Sequence, residues 1–223
     1  MGFDFAYMIE LLPILFKYLG TTLEMAIWGL FFALALALVL ANLRVFKVPV
    51  LDQLSQLYIS FFRGTPLLVQ LFLLYYGLPQ VFPIFIGLDA FSAAVIGLTL
   101  HFAAYMAESI RAAIIGIDRS QMEASLSIGM TTSQAMRRII LPQASRVALP
   151  SLMNYFIDMI KSTSLAFTLG VSEIMAKAQM EASSSFKFFE AFLAVALIYW
   201  GVVVILTRVQ TWAEVKLNKA YVR

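Results

Sequence analysis

The chain contains no cysteine, a single histidine and few charged residues. The absence of cysteine excludes disulfides and thiol chemistry, and one histidine argues against a metal site built from protein ligands alone. Charged residues make up 13% of the 223 residues and hydrophobic residues 61%, whereas soluble domains have about 25% charged residues. The mean hydropathy is +0.86. This composition predicts an integral membrane protein, and the small net charge of +3 gives no indication of nucleic-acid binding.

The apolar residues fall into five segments. Each is close to the roughly 20 residues that a helix needs to cross the hydrocarbon core. They are 21–43, 65–82, 91–114, 148–170 and 188–207. We therefore predict an all-α integral membrane fold with five transmembrane helices in a single domain covering 1–223. The first twenty residues lack a basic start followed by an apolar run, so we expect no cleavable signal and insertion through the later spans.

Lysine and arginine positions indicate the orientation of these spans. With the N-terminus outside, twelve of the 16 basic residues lie in the cytoplasm, three lie outside, and Lys161 falls within a span. The cytoplasmic residues are Arg44, Lys47, Arg63, Arg111, Arg119, Arg137, Arg138, Arg146, Arg208, Lys216, Lys219 and Arg223, and the outer ones are Lys17, Lys177 and Lys187. The C-terminus is then cytoplasmic, as is the polar 118–142 segment between the third and fourth spans.

The 118–142 segment is predicted to form two short helices. Asp118 is a suitable N-cap for the first helix, and Gly129 suits its end because glycine tolerates positive φ. Thr132 is a suitable cap for the second helix, which we expect Pro142 to end. Two interpretations remain open: a rigid element that docks a partner protein, or an amphipathic linker lying on the lipid headgroups.

The spacing within this segment resembles the EAA loop of ABC importer permeases. In that loop Glu-Ala-Ala is followed by three residues, glycine, nine residues and Ile-x-Leu-Pro. The matching residues here are Glu123, Ala124, Ser125, Gly129, Ile139, Leu141 and Pro142. Serine in place of the second alanine is the one departure. The resemblance implies a cytoplasmic coupling helix at which these residues contact an ATPase subunit.

Further stretches resemble the permeases of the histidine, glutamine, arginine and cystine importers, which have a MetI-like transmembrane domain. They are FRGTPLL at 62–68, the residues from Ala104 to Arg111, and KSTSL at 161–165. YYGLPQ at 75–80 and residues 134–150 are most similar to cystine permeases. The resemblance implies the translocation subunit of an ATP-driven importer for polar amino acids in the bacterial inner membrane, with L-cystine as the expected substrate.

The same resemblance implies the partners. They are a cytoplasmic ATPase dimer, an extracytoplasmic amino-acid-binding protein, and a second copy of this chain or a similar permease. The chain has no G-x-x-x-x-G-K-[ST] phosphate loop, so it is expected to be no enzyme and to hold no cofactor. ATP and Mg²⁺ are expected on the partner ATPase.

Polar side chains inside the predicted spans are candidates for the substrate pathway, because such groups are costly in hydrocarbon. Two sets recur at helical spacing, so each set shares one helix face. If the faces meet, they supply acceptors for an α-ammonium group and donors for an α-carboxylate. The first set is His101, Tyr105 and Glu108, and the second is Asn154, Asp158 and Lys161, with Ser164 nearby.

A structural interpretation of these residues stays open. Glu108 and Arg111 are three residues apart and could neutralise each other, as could Asp158 and Lys161. Asn154 could form an interhelical hydrogen bond, worth about 0.6–2 kcal/mol.

Two other functions compete with the importer. An ion-coupled carrier or channel without ATP is compatible with the charges in the spans, although it does not explain the 118–142 segment. An intramembrane hydrolase would pair His101 with a nucleophile such as Ser92 or Ser127, and neither serine lies in a recognisable motif.

Overall fold

A computed structural model of the protein describes residues 2–218, and all regular elements in that range are helical. The α-helices are α1 (Phe5–Val45), α2 (Leu51–Gly64), α3 (Leu67–Phe72), α4 (Leu78–Val81), α5 (Ala90–Ile115), α6 (Arg119–Ser127), α7 (Thr132–Ala135), α8 (Leu141–Ser162), α9 (Ile174–Ser185) and α10 (Phe188–Asn218). The π-helical turns Leu73–Gly77 and Met136–Ile140 join α3 to α4 and α7 to α8, and 3₁₀ turns form Pro83–Phe85 and Thr163–Leu169. The predicted cytoplasmic positions Lys219 and Arg223 lie outside the described residues.

Helix α1 begins well before the predicted start of the first span at residue 21. Asp4 caps it by accepting a hydrogen bond from the Tyr7 backbone N–H at 3.0 Å. The Lys187 ammonium lies 2.6 Å from the Asp4 carboxylate and lowers the pKa of Asp4. The Asp4 backbone N–H in turn donates to Glu190 at 2.9 Å. The N-terminal end of α1 is therefore tied to the start of α10.

Small residues let α1 pack closely against α5 and α8. Gly29, Ala33, Ala37 and Ala41 recur every fourth residue, and the three alanines are fully buried. A Cβ atom at Gly29 would lie 2.9 Å from the Met159 sulfur on α8. Without a hydrophobic driving force between helices in lipid, such close contact is a main source of helix association. The stripe therefore holds the main core of the molecule together.

A second, smaller core lies around the N-terminal part of α1. Leu11 and Leu15 of α1 pack there against Ile174 of α9 and the small residues of α10. Helix α9 was not predicted, because its sequence is short and alternates polar and apolar residues. The fully buried Glu173 caps it by accepting from the Ala176 backbone N–H at 2.7 Å.

By length and composition, three helices of the described chain could cross a membrane: α1, α5 and α10. A fourth span is possible if α2 and the stretch Leu67–Val81 count as one, and those two pieces are bent by 111°. Helix α8 is not among them, and it contains Arg146, Asp158 and Lys161. The all-helical membrane architecture is confirmed, while the count of five spans and their orientation stay predictions.

Candidate functional site

In the first half of the 118–142 segment, helix α6 begins after Asp118 and ends before Gly129, as predicted. The Asp118 carboxylate accepts from the Ser120 backbone N–H at 2.9 Å, and this hydrogen bond lowers the pKa of Asp118. At the other end of α6, Gly129 has φ +85°. Its N–H donates to the Leu126 carbonyl at 3.0 Å, and the Met130 N–H donates to Ser125 at 3.1 Å. These two hydrogen bonds define a Schellman ending.

The second half departs from the prediction in two respects. Thr131, not Thr132, caps α7, and it forms a capping box with Gln134. Pro142 does not end the helix: it lies in the first turn of α8, directly after the π-helical turn Met136–Ile140. Proline is tolerated there because the wider turn already interrupts the regular i→i−4 bonding, and the N–H of Leu141 donates to Met136.

Helix α6 is fixed to the beginning of α8 by a pair of glutamines. Gln143 Nε2 donates to Gln121 Oε1 at 2.5 Å, and Gln121 Nε2 donates to Gln143 Oε1 at 3.2 Å. The buried Ser125 hydroxyl donates to the Gln121 carbonyl at 2.6 Å. Met122 and Met136 pack against the main core. Helix α6 is therefore tied to the beginning of α8 and packed against the main core.

The exposed surface of the 118–142 segment carries one carboxylate together with exposed apolar side chains. Glu123 is exposed on α6, and Leu126 and Ile128 are 44% and 76% exposed. Apolar groups exposed together on a polar segment are typical of a protein interaction site. Of the seven motif residues, Ser125 is buried, Ile139 is half-buried, and Glu123, Ala124, Gly129, Leu141 and Pro142 are exposed.

On α5, His101 and Tyr105 lie on one face as predicted, with their ring centroids 5.1 Å apart. His101 Nδ1 lies 2.9 Å from Gln70 Oε1 on α3. The Arg63 guanidinium lies 5.4 Å from the centre of the Tyr105 ring. On the other side of Tyr105 is Tyr155 of α8, with ring centroids 5.9 Å apart. The face is thus a half-buried aromatic cluster.

Glu108 belongs to a charge network at the predicted cytoplasmic end of α5. Its carboxylate lies 2.7 Å from the Arg111 guanidinium and 3.2 Å from that of Arg44. Arg44 also lies 2.8 Å from Asp52 of α2. All four side chains are 18–28% exposed. This geometry favours a structural role for Glu108, joining α1, α2 and α5.

We expect Glu108→Gln to lower the free energy of unfolding by about 1–3 kcal/mol, because two half-buried arginines lose their shared charged acceptor. The matched control is Glu181→Gln, which breaks the 2.7 Å pair with Lys177 within α9. That pair joins residues four apart on one helix and is worth only about 0.3–0.5 kcal/mol. Thermal unfolding in detergent measures both, and equal melting temperatures would contradict the structural role.

On α8, the second polar set forms an exposed stripe. Asn154 and Asp158 are exposed, and the Lys161 ammonium lies 2.6 Å from Asp158 with both side chains about half exposed, at 53% and 52%. The Ser164 hydroxyl donates to the Lys161 carbonyl at 2.7 Å. Within residues 2–218 no hydrogen bond or ion pair joins this stripe to the three polar residues of α5. Tyr155 of α8 contacts α5 in this region: its ring lies against Tyr105, and its hydroxyl lies 3.1 Å from the Ser109 hydroxyl.

Sequence reasoning missed two residues of this region. Gln70 interrupts the apolar run LLVQLFLL at 67–74, and it is 5% exposed. A buried amide in such a run requires hydrogen-bond partners, so it was a detectable signal. Tyr155 gave no signal, since an aromatic residue in a membrane helix usually packs or faces lipid.

Three comparisons place this geometry among known proteins. Residues 29–219 match the family described as "Binding-protein-dependent transport system inner membrane component". The probable amino-acid ABC transporter permease protein PatM of Vibrio harveyi is 88% identical over 223 residues, covering both chains completely. The L-cystine transport system permease protein TcyL of Bacillus subtilis is 40% identical, covering 100% of this chain and 95% of that one.

A solved structure described as an amino acid ABC transporter with histidines has the same fold. Its TM-score is 0.90 at 33% sequence identity, and the match covers 97% of this chain and 100% of the other. The matched family segment includes the 118–142 segment and both polar sets. The chain therefore belongs to the binding-protein-dependent transport system inner membrane components, the permease subunits of ABC transporters.

Proposed function

We propose that this chain is the transmembrane subunit of an ATP-driven importer for polar amino acids in the bacterial cytoplasmic membrane. The observation that carries the proposal is the exposed stripe of Asn154, Asp158 and Lys161 on α8. With this part of α8 in the predicted fourth span, charges left half exposed there would be too costly against lipid. They would then require a water-filled pathway, and because the stripe is exposed on the described part of this chain, a second chain would have to enclose it. We therefore assign the stripe to a pathway between this chain and a second copy or a similar permease.

The chemistry of the stripe suits a zwitterion. A free amino acid presents an ammonium group and a carboxylate, and Lys161 supplies a donor while Asp158 and Asn154 supply acceptors. Ser164 adds a hydroxyl next to Lys161. In the proposed topology α8 and the 3₁₀ turn after it form the fourth of five spans, the N-terminus lies outside, and the 118–142 segment lies in the cytoplasm.

The 118–142 segment is proposed as the coupling element. Its exposed Glu123 and apolar side chains would contact a cytoplasmic ATPase that binds ATP and Mg²⁺, and its tie to α8 through Gln121 and Gln143 would pass the movement to the pathway. A binding protein would deliver the substrate to the outer face. The family description supports a binding-protein-dependent system.

L-cystine is the proposed substrate. The motifs at 75–80 and 134–150 support it, together with the 40% identity to a permease named for L-cystine transport. The relative that is 88% identical is named for amino acids in general. Amino acids as a substrate class therefore have stronger support than L-cystine in particular.

The test is ATP-driven uptake of labelled cystine by liposomes containing the chain, its candidate ATPase and the binding protein. Unlabelled histidine, arginine and glutamine serve as competitors. We expect uptake that requires ATP and is displaced by unlabelled cystine. ATP-driven uptake of a different amino acid would overturn the substrate but keep the mechanism. Uptake driven by an ion gradient in the absence of the ATPase would overturn the mechanism.

Lys161→Ala is expected to reduce uptake roughly tenfold, because one charge-assisted hydrogen bond to the substrate is lost. Assembly with the ATPase should be unchanged, since Lys161 lies far along α8 from the 118–142 segment. Co-purification of the ATPase measures assembly in the same preparation. Loss of the complex in this variant would instead assign Lys161 to structure.

A further inference from the structure

The chain is broken between α2 and α3, and the break leaves backbone carbonyls without helical partners. Thr65 and Pro66 are extended, with ψ 149° and 139°. In a continuous helix the N–H of residue 66 would donate to the Phe62 carbonyl, but proline has no N–H. In a membrane such a carbonyl needs another donor from the protein.

Gln70 supplies that donor. Its Nε2 lies 3.0 Å from the Phe62 carbonyl oxygen, 3.1 Å from the Thr65 carbonyl oxygen and 2.7 Å from the Thr65 hydroxyl. The Thr65 hydroxyl donates its own hydrogen to the Phe61 carbonyl at 2.8 Å. It therefore acts as an acceptor toward Gln70. All three groups facing this end of the amide are acceptors, which fixes the amide orientation with its NH₂ group toward the break.

The orientation of Gln70 determines the protonation of His101. Gln70 Oε1 then faces His101 Nδ1 at 2.9 Å, and an amide oxygen only accepts hydrogen bonds. Nδ1 must therefore carry a hydrogen. In a neutral imidazole the other nitrogen, Nε2, is then an acceptor. Within residues 2–218 the structure gives Nε2 no hydrogen-bond partner.

We propose that Gln70 is a positioning residue that holds His101 as its Nδ1–H tautomer and so presents Nε2 as an acceptor for a donor group of the substrate. The donor would be an ammonium or another N–H group, not a carboxylate. This inference rests on the proposed function and extends the pathway from the stripe on α8 to His101, whose ring contacts Tyr105 and, through it, Tyr155 of α8. The same amide connects the break between α2 and α3 to the pathway, because its NH₂ group bonds the break and its oxygen bonds His101.

The first test is the ¹⁵N spectrum of the ring. His101 is the single histidine of the chain, so ¹⁵N-histidine labelling of this chain, without a histidine tag and with unlabelled partners, reports on one ring. We expect a protonated Nδ1 and an unprotonated Nε2 in the wild-type complex. Protonation on Nε2 alone, or on both nitrogens, would overturn the assignment whether or not any variant folds.

The second test removes the positioning group. Gln70→Met keeps the side-chain length and loses both hydrogen-bonding ends, so we expect the proton to move in part to Nε2. Gln53→Met, the same change at an exposed position of α2, should leave the spectrum unchanged. An unchanged spectrum in Gln70→Met would show that Gln70 does not set the tautomer.

The third test concerns the substrate. Adding cystine to the wild-type complex should shift the Nε2 signal and leave Nδ1 protonated. In His101→Asn the side-chain amide takes the place of Nδ1 and the acceptor is lost, so cystine binding to the complex should weaken roughly tenfold. Absence of ATP-driven uptake in the wild type would refute the proposed function. Normal uptake of cystine without any Nε2 shift would refute only this inference.

Discussion

Gly129→Val should abolish most ATP-driven uptake while the chain still inserts in the membrane. Gly129 has φ +85° at the Schellman ending of α6, a conformation that costs an ordinary L-residue about 1–2 kcal/mol and a β-branched one more. Valine would therefore shift the backbone and move Glu123 relative to α8. We expect uptake to fall roughly tenfold or more, with ATP hydrolysis no longer coupled to transport.

A side chain at position 129 would have room, so a control variant can separate the effect of backbone conformation from that of added bulk. A Cβ atom at Gly129 would have nothing within 4 Å, so backbone conformation is the only obstacle. Gly129→Asn adds a side chain but tolerates the left-handed conformation, and it should keep uptake within about twofold of the wild type. Equal uptake by the valine and asparagine variants would refute a conformational role for Gly129.

Glu123→Ala should reduce ATP-driven uptake roughly ten- to hundredfold. The Glu123 carboxylate is exposed, and within residues 2–218 the structure shows no ion pair for it. A charge-assisted hydrogen bond to a partner ATPase would be worth about 1.5–3 kcal/mol. Its loss should appear both as lower uptake and as weaker co-purification of the ATPase.

The matched control for this variant is Glu10→Ala. Glu10 is likewise exposed but belongs to the predicted outer part of α1. The same change there removes one surface carboxylate without touching the 118–142 segment, and uptake should be unchanged. Wild-type uptake and ATPase binding in Glu123→Ala would contradict the docking proposal and return the segment to the headgroup interpretation.

Features governed by neighbouring residues could be predicted from the sequence. Asp118 as a cap and Gly129 as a helix end depend on the few residues around them, and both lie where the local rules place them. Pro142 shows where such rules stop. A proline following an apolar stretch usually ends a helix, but the π-helical turn before it lets the chain continue into α8.

Features that depend on distant packing could not be predicted. The first half of α1 contains Glu10 and Lys17, whose charges argue against a membrane span, and Pro13, which is unfavourable inside a helix, yet the helix forms with Leu11 and Leu15 buried. The pairing of Gln70 with His101 joins residues 31 positions apart, and it depends on a bend that no local signal specifies. Helical periodicity is enough to predict that each polar set shares one helix face, but it does not decide whether the two faces meet.

The second core affects the order in which the protein can be assembled. Leu11 and Leu15 are synthesised about 160 to 190 residues before their partners in α9 and α10, such as Ile174 and Ile198. At ordinary translation rates the interval is on the order of ten to forty seconds. During that time the first half of α1 has no partner from its own chain. Its apolar face then has only lipid or other proteins to contact, so chains truncated before α9 should be less stable than the 223-residue chain.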